Sequence, residues 1–233
     1  GASNLATVAR AIGDQVCAAA TWSDQRAFWS GPQWPSGRGG LAHGVSGLGW
    51  ALGHLARVGG DERHASTAAG AFAFEAANWD EAAGGWVDLR GIAGHRTNTS
   101  WCNGSAGIAL AQLDLDPHGL QPETRRTLQR AAREILDRDR HDNHCGCHGR
   151  LGSYEVLQRA AALGALPPAI ALEDVLSGIL TDIEDRGPHC GFLDILVPSL
   201  ISGHGSIAYQ LLRAHPESRL PSVLLPSLGA PLS

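Results

Sequence analysis

Apolar positions recur at helical spacing through most of the chain, and the pattern predicts helices from one end to the other. Leu5, Val8, Ala9, Ile12, Val16 and Ala19 mark a first helix from Asn4 to Ala20, with Ser3 placed to cap it. Thr21 to Gly40 breaks the period with Trp, Gly and Pro and reads as an ordered loop, where Trp22, Phe28, Trp29 and Trp34 serve packing first. Helices follow from Leu41 to about Arg57 and from Asp61 to Trp79. A loop from Asp80 to Ser100 then carries Trp86-Val87-Asp88-Leu89-Arg90. After it come a helix behind Cys102 that fades near Leu113, an Arg-rich helix from Gln121 to Arg140, and a third from Gly149 to Leu163. Pro167-Pro168 restart the chain into a helix from about Ala169 to Glu184. A last helix opens at Gly203 and runs into an apolar tail through Leu220, Val223, Leu224 and Leu225. Strand signal is confined to short runs such as Ile195 to Val197.

The pattern repeats. Gly44/Gly47, Gly104/Gly107 and Gly149/Gly152 each open a small-residue, nearly all-apolar helix, and Gly203 with Ser206 makes a degraded fourth copy. Successive copies lie 60, 45 and 54 residues apart, and an amphipathic, polar-faced helix joins each one to the next. The expected architecture is all-α, a repeat of about four helical hairpins. The charges of the Arg-rich helix belong on a solvated outer face. Glycine at a helix start permits φ > 0 and lets backbones crowd together. If the hairpins close on a ring and every apolar helix starts at the same end of it, all the Gly-x-x-Gly turns line one mouth.

Candidate chemistry sits at those turns. Cys102 lies two residues before Gly104, and Cys147-His148 directly precede Gly149. Thiolate and imidazole are the ligands zinc prefers, and three of them leave a fourth position open, as in catalytic sites. The 45 residues between Cys102 and Cys147 do not fit compact structural-zinc patterns, so the fold itself must bring the ligands together. His43 stands at the same phase as His148.

Composition narrows the options. The 233 residues are 43% hydrophobic and 18% charged, ordinary globular material that forms one domain over the whole chain. A net charge of −5 argues against nucleic acid as a partner. Apolar runs fall short of a membrane span and no leader opens the chain, so a soluble, cytoplasmic protein is expected. The 18 basic residues are all Arg, which excludes Schiff-base chemistry and Lys-dependent phosphate loops. Five cysteines are too few for a disulfide scaffold and fit a reducing compartment. The Gly1-Ala2-Ser3 opening and the absence of Met are those of a trimmed start or an expression scar, and the latter would suit a fragment of a larger protein.

These stretches resemble the C-terminal cyclase region of class II lanthipeptide synthetases, a module related to stand-alone lanthionine cyclases. Leu41-Ala42-His43-Gly44-Val45-Ser46-Gly47, Phe74-Glu75 with Asn78-Trp79, and Val87-Asp88-Leu89-Arg90 carry the likeness. So do Ser100-Trp101-Cys102-Asn103-Gly104, Cys147-His148-Gly149 with Gly152, Leu211-Leu212-Arg213 and Pro221-Ser222-Val223-Leu224. The resemblance implies an α/α toroid with zinc at the inner-ring mouth, bound by Cys102, Cys147 and His148. It also implies general acid/base work for His43. The product would be lanthionine or methyllanthionine, made by adding a Cys thiolate of a dehydrated precursor peptide to dehydroalanine or dehydrobutyrine.

Three features depart from the family pattern. Asn103 replaces the usual His or Tyr, which puts a proton-handling role there in doubt; Cys145 is extra; and the family ring has seven hairpins. The rest of a synthetase or a second chain could complete the ring.

Other residues divide between site and scaffold. Cys145 reads as a spectator thiol or an alternative ligand, Cys17 and Cys190 as buried small hydrophobes, and His95, His141 and His144 as loop residues near the mouth. His204 sits on the right turn without a family counterpart. Asp88 and Arg90 form an ion pair holding their loop, or contact substrate. Two other function classes stay open. One is a non-catalytic zinc-containing half-ring that binds a peptide or protein in lanthipeptide biosynthesis. The other is a different toroid enzyme, such as a terpene cyclase or a glycosidase, the latter needing paired acids near the mouth.

Overall fold

A computed structural model describes residues 2–92, 96–138, 142–191 and 195–225. Eight helices fall among them: α1 (Ala2–Ala18), α2 (Val45–Arg57), α3 (Glu62–Ala77), α4 (Ser105–Leu115), α5 (Pro122–Arg138), α6 (Arg150–Ala162), α7 (Leu172–Arg186) and α8 (His204–Ala214). The even-numbered helices touch in the order α2, α4, α6, α8 and form the inner row. The odd-numbered helices lie outside, against α2 in the case of α1 and α3, against α4 and α6 in the case of α5, and against α6 in the case of α7. The fold is all-α and toroid-like, with four hairpins among the described residues. No helix there is long and apolar enough to cross a membrane.

Burial follows from place in the row. Every residue of α4 from Ser105 to Leu113 is buried, because this helix has neighbours on all sides. One core joins Ile108 and Leu110 of α4 to Leu128 and Ile135 of α5 and Val156 and Leu157 of α6. A second joins Leu151 and Tyr154 of α6 to Ile179 of α7 and Ile207 of α8. Each fully buried Leu or Ile contributes roughly 1.5–3 kcal/mol. α1, at one end of the arc, exposes Leu5, Val8 and Ile12.

The four inner helices start in one way. Their N-cap glycines, Gly44, Gly104, Gly149 and Gly203, make no side-chain cap. Instead the first helical N–H donates to a carbonyl seven residues back: Val45 to Arg38 at 2.9 Å, Ser105 to Asn98 at 2.9 Å, Arg150 to Asn143 at 3.0 Å and His204 to Val197 at 2.7 Å. The loop folds back onto its own helix and satisfies donors that a Ser or Asp normally would. This close return is why glycine is needed. A Cβ on Gly104 would stand 1.9 Å from the Asn98 oxygen, and one on Gly107 1.9 Å from the Trp101 oxygen. All four caps have negative φ, between −144° and −119°, so crowding rather than a left-handed backbone selects these glycines.

Several boundaries and elements differ from the sequence reading. Ser3 lies inside α1 rather than capping it, and Leu41 to Gly44 form the entry turn rather than helix. α7 opens at Leu172, three residues later than the Pro-Pro step predicts. Two small antiparallel pairs interrupt predicted loops: β1 (Thr21–Ser23) with β2 (Arg26–Phe28), and β3 (Trp79–Asp80) with β4 (Gly85–Trp86). Asp24 turns the first pair at φ +56°. In the second, Trp79 faces Trp86 edge to face at 4.7 Å, a cross-strand aromatic pair that holds a two-residue ladder. Strands this short leave no alternation to read, and Ile195 to Val197 forms none. Cys17 is half-buried rather than buried, because its helix lies at the arc's edge.

Candidate metal centre and adjoining cavity

Backbone hydrogen bonds stitch the inner turns together. Ala42 N–H donates to Cys102 O at 3.0 Å, Trp101 N–H to Cys147 O at 2.9 Å, and Cys147 N–H to Ile201 O at 2.9 Å. Gly40, at φ +94°, lets the first turn approach the second; a Cβ there would lie 2.5 Å from Asn103 Cα. The residues just ahead of each glycine, Ala42-His43, Cys102-Asn103, Cys147-His148 and Ile201-Ser202, therefore gather at one end of the inner row.

At this end the side chains of Cys102 and Cys147 are in hydrogen-bonding contact. That bond lowers the Cys102 thiol below its ordinary range and raises Cys147 above it: one sulfur holds the proton that stabilises the other's thiolate, and the pair titrates as a unit. Burial works against Cys102, while Ser100, Asn103 and His148 add to the lowering. Ser100 Oγ lies 3.5 Å from Cys102 Sγ and accepts the Asn103 N–H at 3.4 Å; Asn103 Nδ2 donates to the same sulfur at 3.2 Å.

A wider network holds this turn. Asn98 Oδ1 accepts the Ser100 N–H at 2.8 Å, and Asn98 Nδ2 donates to Asp88 Oδ2 at 3.3 Å. Asp88 in turn receives Arg90 Nε at 2.8 Å and its terminal nitrogen at 2.5 Å. Burial opposes ionisation of Asp88, yet the Arg90 hydrogen bonds hold its carboxyl below the usual range. The pair expected to hold the loop does hold it, and through Asn98 it reaches the sulfur.

The remaining candidates fall into place around this cluster. Cys145 is fully buried and burial pushes its thiol up, the state of a protonated bystander. Cys190 is buried beside His204, with Sγ 3.5 Å from Nδ1. His204 also accepts the Val197 N–H at 3.3 Å on Nδ1, with Nε2 3.1 Å from Pro188 O, so it pins the loop before α8. His144 is fully buried, 2.9 Å from Asp182 on α7. His95 and His141 lie outside the described residues.

His43 is exposed and lines a cavity of about 800 Å³ beside the paired cysteines' turn. Trp29, Trp34, Leu41, Trp50 and Trp101 wall it, so two of the tryptophans read as packing also shape a concavity. Among the described residues, none of those lining it carries a carboxylate.

One lining residue, Arg38, escaped the sequence reading. Its guanidinium stacks on Trp34 at 4.6 Å and donates to Asn103 Oδ1 at 2.8 Å. The signal was its phase: Arg38 sits six residues before its helix-start glycine, as Asn98 and Asn143 do.

Two outer-helix acids were given no role of their own, although Glu75 stands in one of the stretches that carry the resemblance. Glu75 of α3 is fully buried and accepts the Gly40 N–H at 2.6 Å and Ser46 Oγ at 2.9 Å, bracing the His43 turn from below. Glu134 of α5 lies buried beside Thr97 and Ser105 at the Cys102 turn. Burial pushes both carboxyls up to about 7.

Among the described residues, the three metal-ligating side chains whose donor atoms all lie within 4.8 Å of one another are Asp14, Asp61 and His64. Arg63 occupies that group, 3.0 Å from Asp14 and 2.9 Å from Asp61, and His64 Nδ1 accepts the Asp61 N–H. It reads as a capping and ion-pair cluster. The donor atoms of Cys102, Cys147 and His148 do not all lie that close to one another, although they are of the soft kind zinc favours.

No curated protein matches the chain. The family profile described as Lanthionine synthetase C-like protein matches residues 7–225.

Proposed function

Because the chain belongs to the lanthionine synthetase C-like family, we propose that it is a zinc-dependent cyclase acting on a dehydrated precursor peptide, of the kind found in class II synthetases. Membership supports lanthionine cyclase-type function in general. The observation that carries the finer reading is the contact between Cys102 and Cys147, 45 residues apart, with His148 close enough to favour the Cys102 thiolate.

Cys102, Cys147 and His148 would hold the ion. Zinc would supply a Lewis acid that keeps a substrate thiol deprotonated at neutral pH. Everything else falls to the chain. Two protein thiolates would match the charge of a divalent cation, a donor set that would leave little positive charge to draw electron density from a further sulfur. The Trp-lined cavity beside the turn holds the peptide's apolar side chains and keeps water from the acceptor alkene. The sulfur attacks the β-carbon, a C–S bond forms, and the alkene electrons pass to an enolate that needs a proton at the α-carbon. His43 borders the cavity on a turn tied to Cys102 through Ala42, and imidazole as a class serves general acid/base transfer at neutral pH. Asn103 cannot exchange a proton at that pH; its carboxamide holds its neighbours instead.

Metal analysis of the purified chain and its variants tests the reading. The wild-type chain should hold one zinc, and Cys102→Ala, Cys147→Ala and His148→Ala should each lose it along with cyclisation. Three variants that keep one zinc per chain would overturn the ligand set. A second reading, a zinc-holding module that binds a partner chain, draws on the exposed Leu5, Val8 and Ile12 of α1. A zinc-loaded wild-type chain that turns over no dehydrated peptide alone would favour it.

A further inference from the structure

A cyclase of this kind has a selectivity problem. It brings an electrophilic alkene up to a site where its own cysteines are also nucleophiles, and only the substrate sulfur should react. Cys102 is the more buried of the two, yet it is the one whose surroundings tie it to the cavity. Its turn borders the cavity through Trp101 and is bonded to the His43 turn, whereas the Cys147 turn contributes nothing to the cavity wall.

We infer that Arg38 and Asn103 form a clamp that shields the Cys102 sulfur from the substrate's alkene, an inference that rests on the cyclase reading above. Arg38 is a donor with no acceptor capacity, so the Asn103 oxygen must face it. The bond of 2.8 Å then fixes the carboxamide the other way round, with Nδ2–H directed at Cys102 Sγ 3.2 Å away. Stacking on Trp34 holds the guanidinium in place. An N–H donated to a thiolate draws on the same lone-pair density that would attack carbon, so the bonded sulfur is the poorer nucleophile. The incoming substrate sulfur has no such donor and reacts instead. Arg38 is thus a positioning residue acting through Asn103.

Conjugate addition of N-ethylmaleimide to the zinc-loaded full chain models the unwanted reaction: sulfur bonds to an alkene carbon and a proton adds to the neighbouring one. Mass mapping after timed quenching gives separate rates for Cys102 and Cys147, and metal analysis of each sample shows that the ion is retained. Arg38→Leu and Asn103→Ala should each speed labelling of Cys102 about five- to tenfold, the worth of one such hydrogen bond, and leave Cys147 unchanged. The double variant should label no faster than Asn103→Ala alone, because Arg38 acts through the amide. Arg38→Lys, which keeps a donor near Oδ1, should recover much of the protection. General loosening of the site would speed both cysteines and would overturn the clamp, as would a Cys102 rate common to all variants. A wild-type chain without zinc would overturn the metal reading, and the clamp's purpose with it.

Discussion

One neutral substitution, Glu75→Gln, should change how the fold responds to pH. The Glu75 carboxyl is fully buried, and burial lifts it from 4.5 to about 7 despite hydrogen bonds from Gly40 and Ser46 that favour its charged form. Between those values the unfolded chain has released the proton while the folded chain still holds it. The stabilising contribution is therefore complete below about pH 4.5 and is lost as pH rises, with the loss finished above about 7. At about 1.4 kcal/mol per pH unit, that interval amounts to about 3 kcal/mol. Gln keeps the acceptor for Gly40 and Ser46 and never ionises. Urea unfolding of both proteins at pH 4.5 and pH 8 isolates the effect, since every other titrating group cancels in the double difference. Relative to the wild type, the Gln variant should gain about 3 kcal/mol on going from the lower pH to the higher. A double difference within about 0.5 kcal/mol of zero would show that Glu75 titrates as an ordinary surface acid, and the buried brace beneath the His43 turn would be wrong.

Gly104→Ala should lower the urea midpoint by the equivalent of about 1–3 kcal/mol or prevent folding, because its Cβ would stand 1.9 Å from the Asn98 carbonyl oxygen. A midpoint unchanged in urea titration would mean that the loop does not return onto the helix as described. His43→Asn should retain full zinc and slow cyclisation by roughly 10²–10⁴-fold, the range for removing a proton-transfer group. Peptide mass shift after thiol capping measures the rate, and loss of metal instead would move His43 among the ligands.

The helices were legible because their apolar spacing is regular, and the convergence of Cys102 with Cys147 followed from phase alone: both sit two residues ahead of a helix-start glycine. What stayed hidden depends on features that spacing does not encode. Trp79 and Trp86 pair across a ladder two residues long, too short for an alternating pattern. Glu75 and Glu134 lie on outer helices where an acid reads as solvated; only the crowded turn behind each shows that it faces inward. Arg38 sits in a Trp- and Pro-rich loop without periodicity, and its role emerges only when that loop is aligned with Asn98 and Asn143 by distance to the next glycine. The glycines themselves were found, but for two reasons of which one holds: the backbone there is extended, and close packing alone accounts for them.

The backbone capping of the inner helices explains why this end of the fold can carry chemistry at all. In an ordinary helix the residue at the start spends its side chain on the exposed N–H groups. Here a carbonyl seven residues earlier does that work in all four copies, with the glycine leaving room for it. The two side chains ahead of each glycine owe nothing to the cap. They can be Ala42 and His43 in one copy, Cys102 and Asn103 in the next, Cys147 and His148 in a third, and Ile201 and Ser202 in the last, with one scaffold geometry throughout. Because the turns are bonded to one another, residues placed at these positions are brought together whatever their chemistry. Stability is thus vested in the glycines and the returning loop, and reactivity in the two positions that the loop sets free.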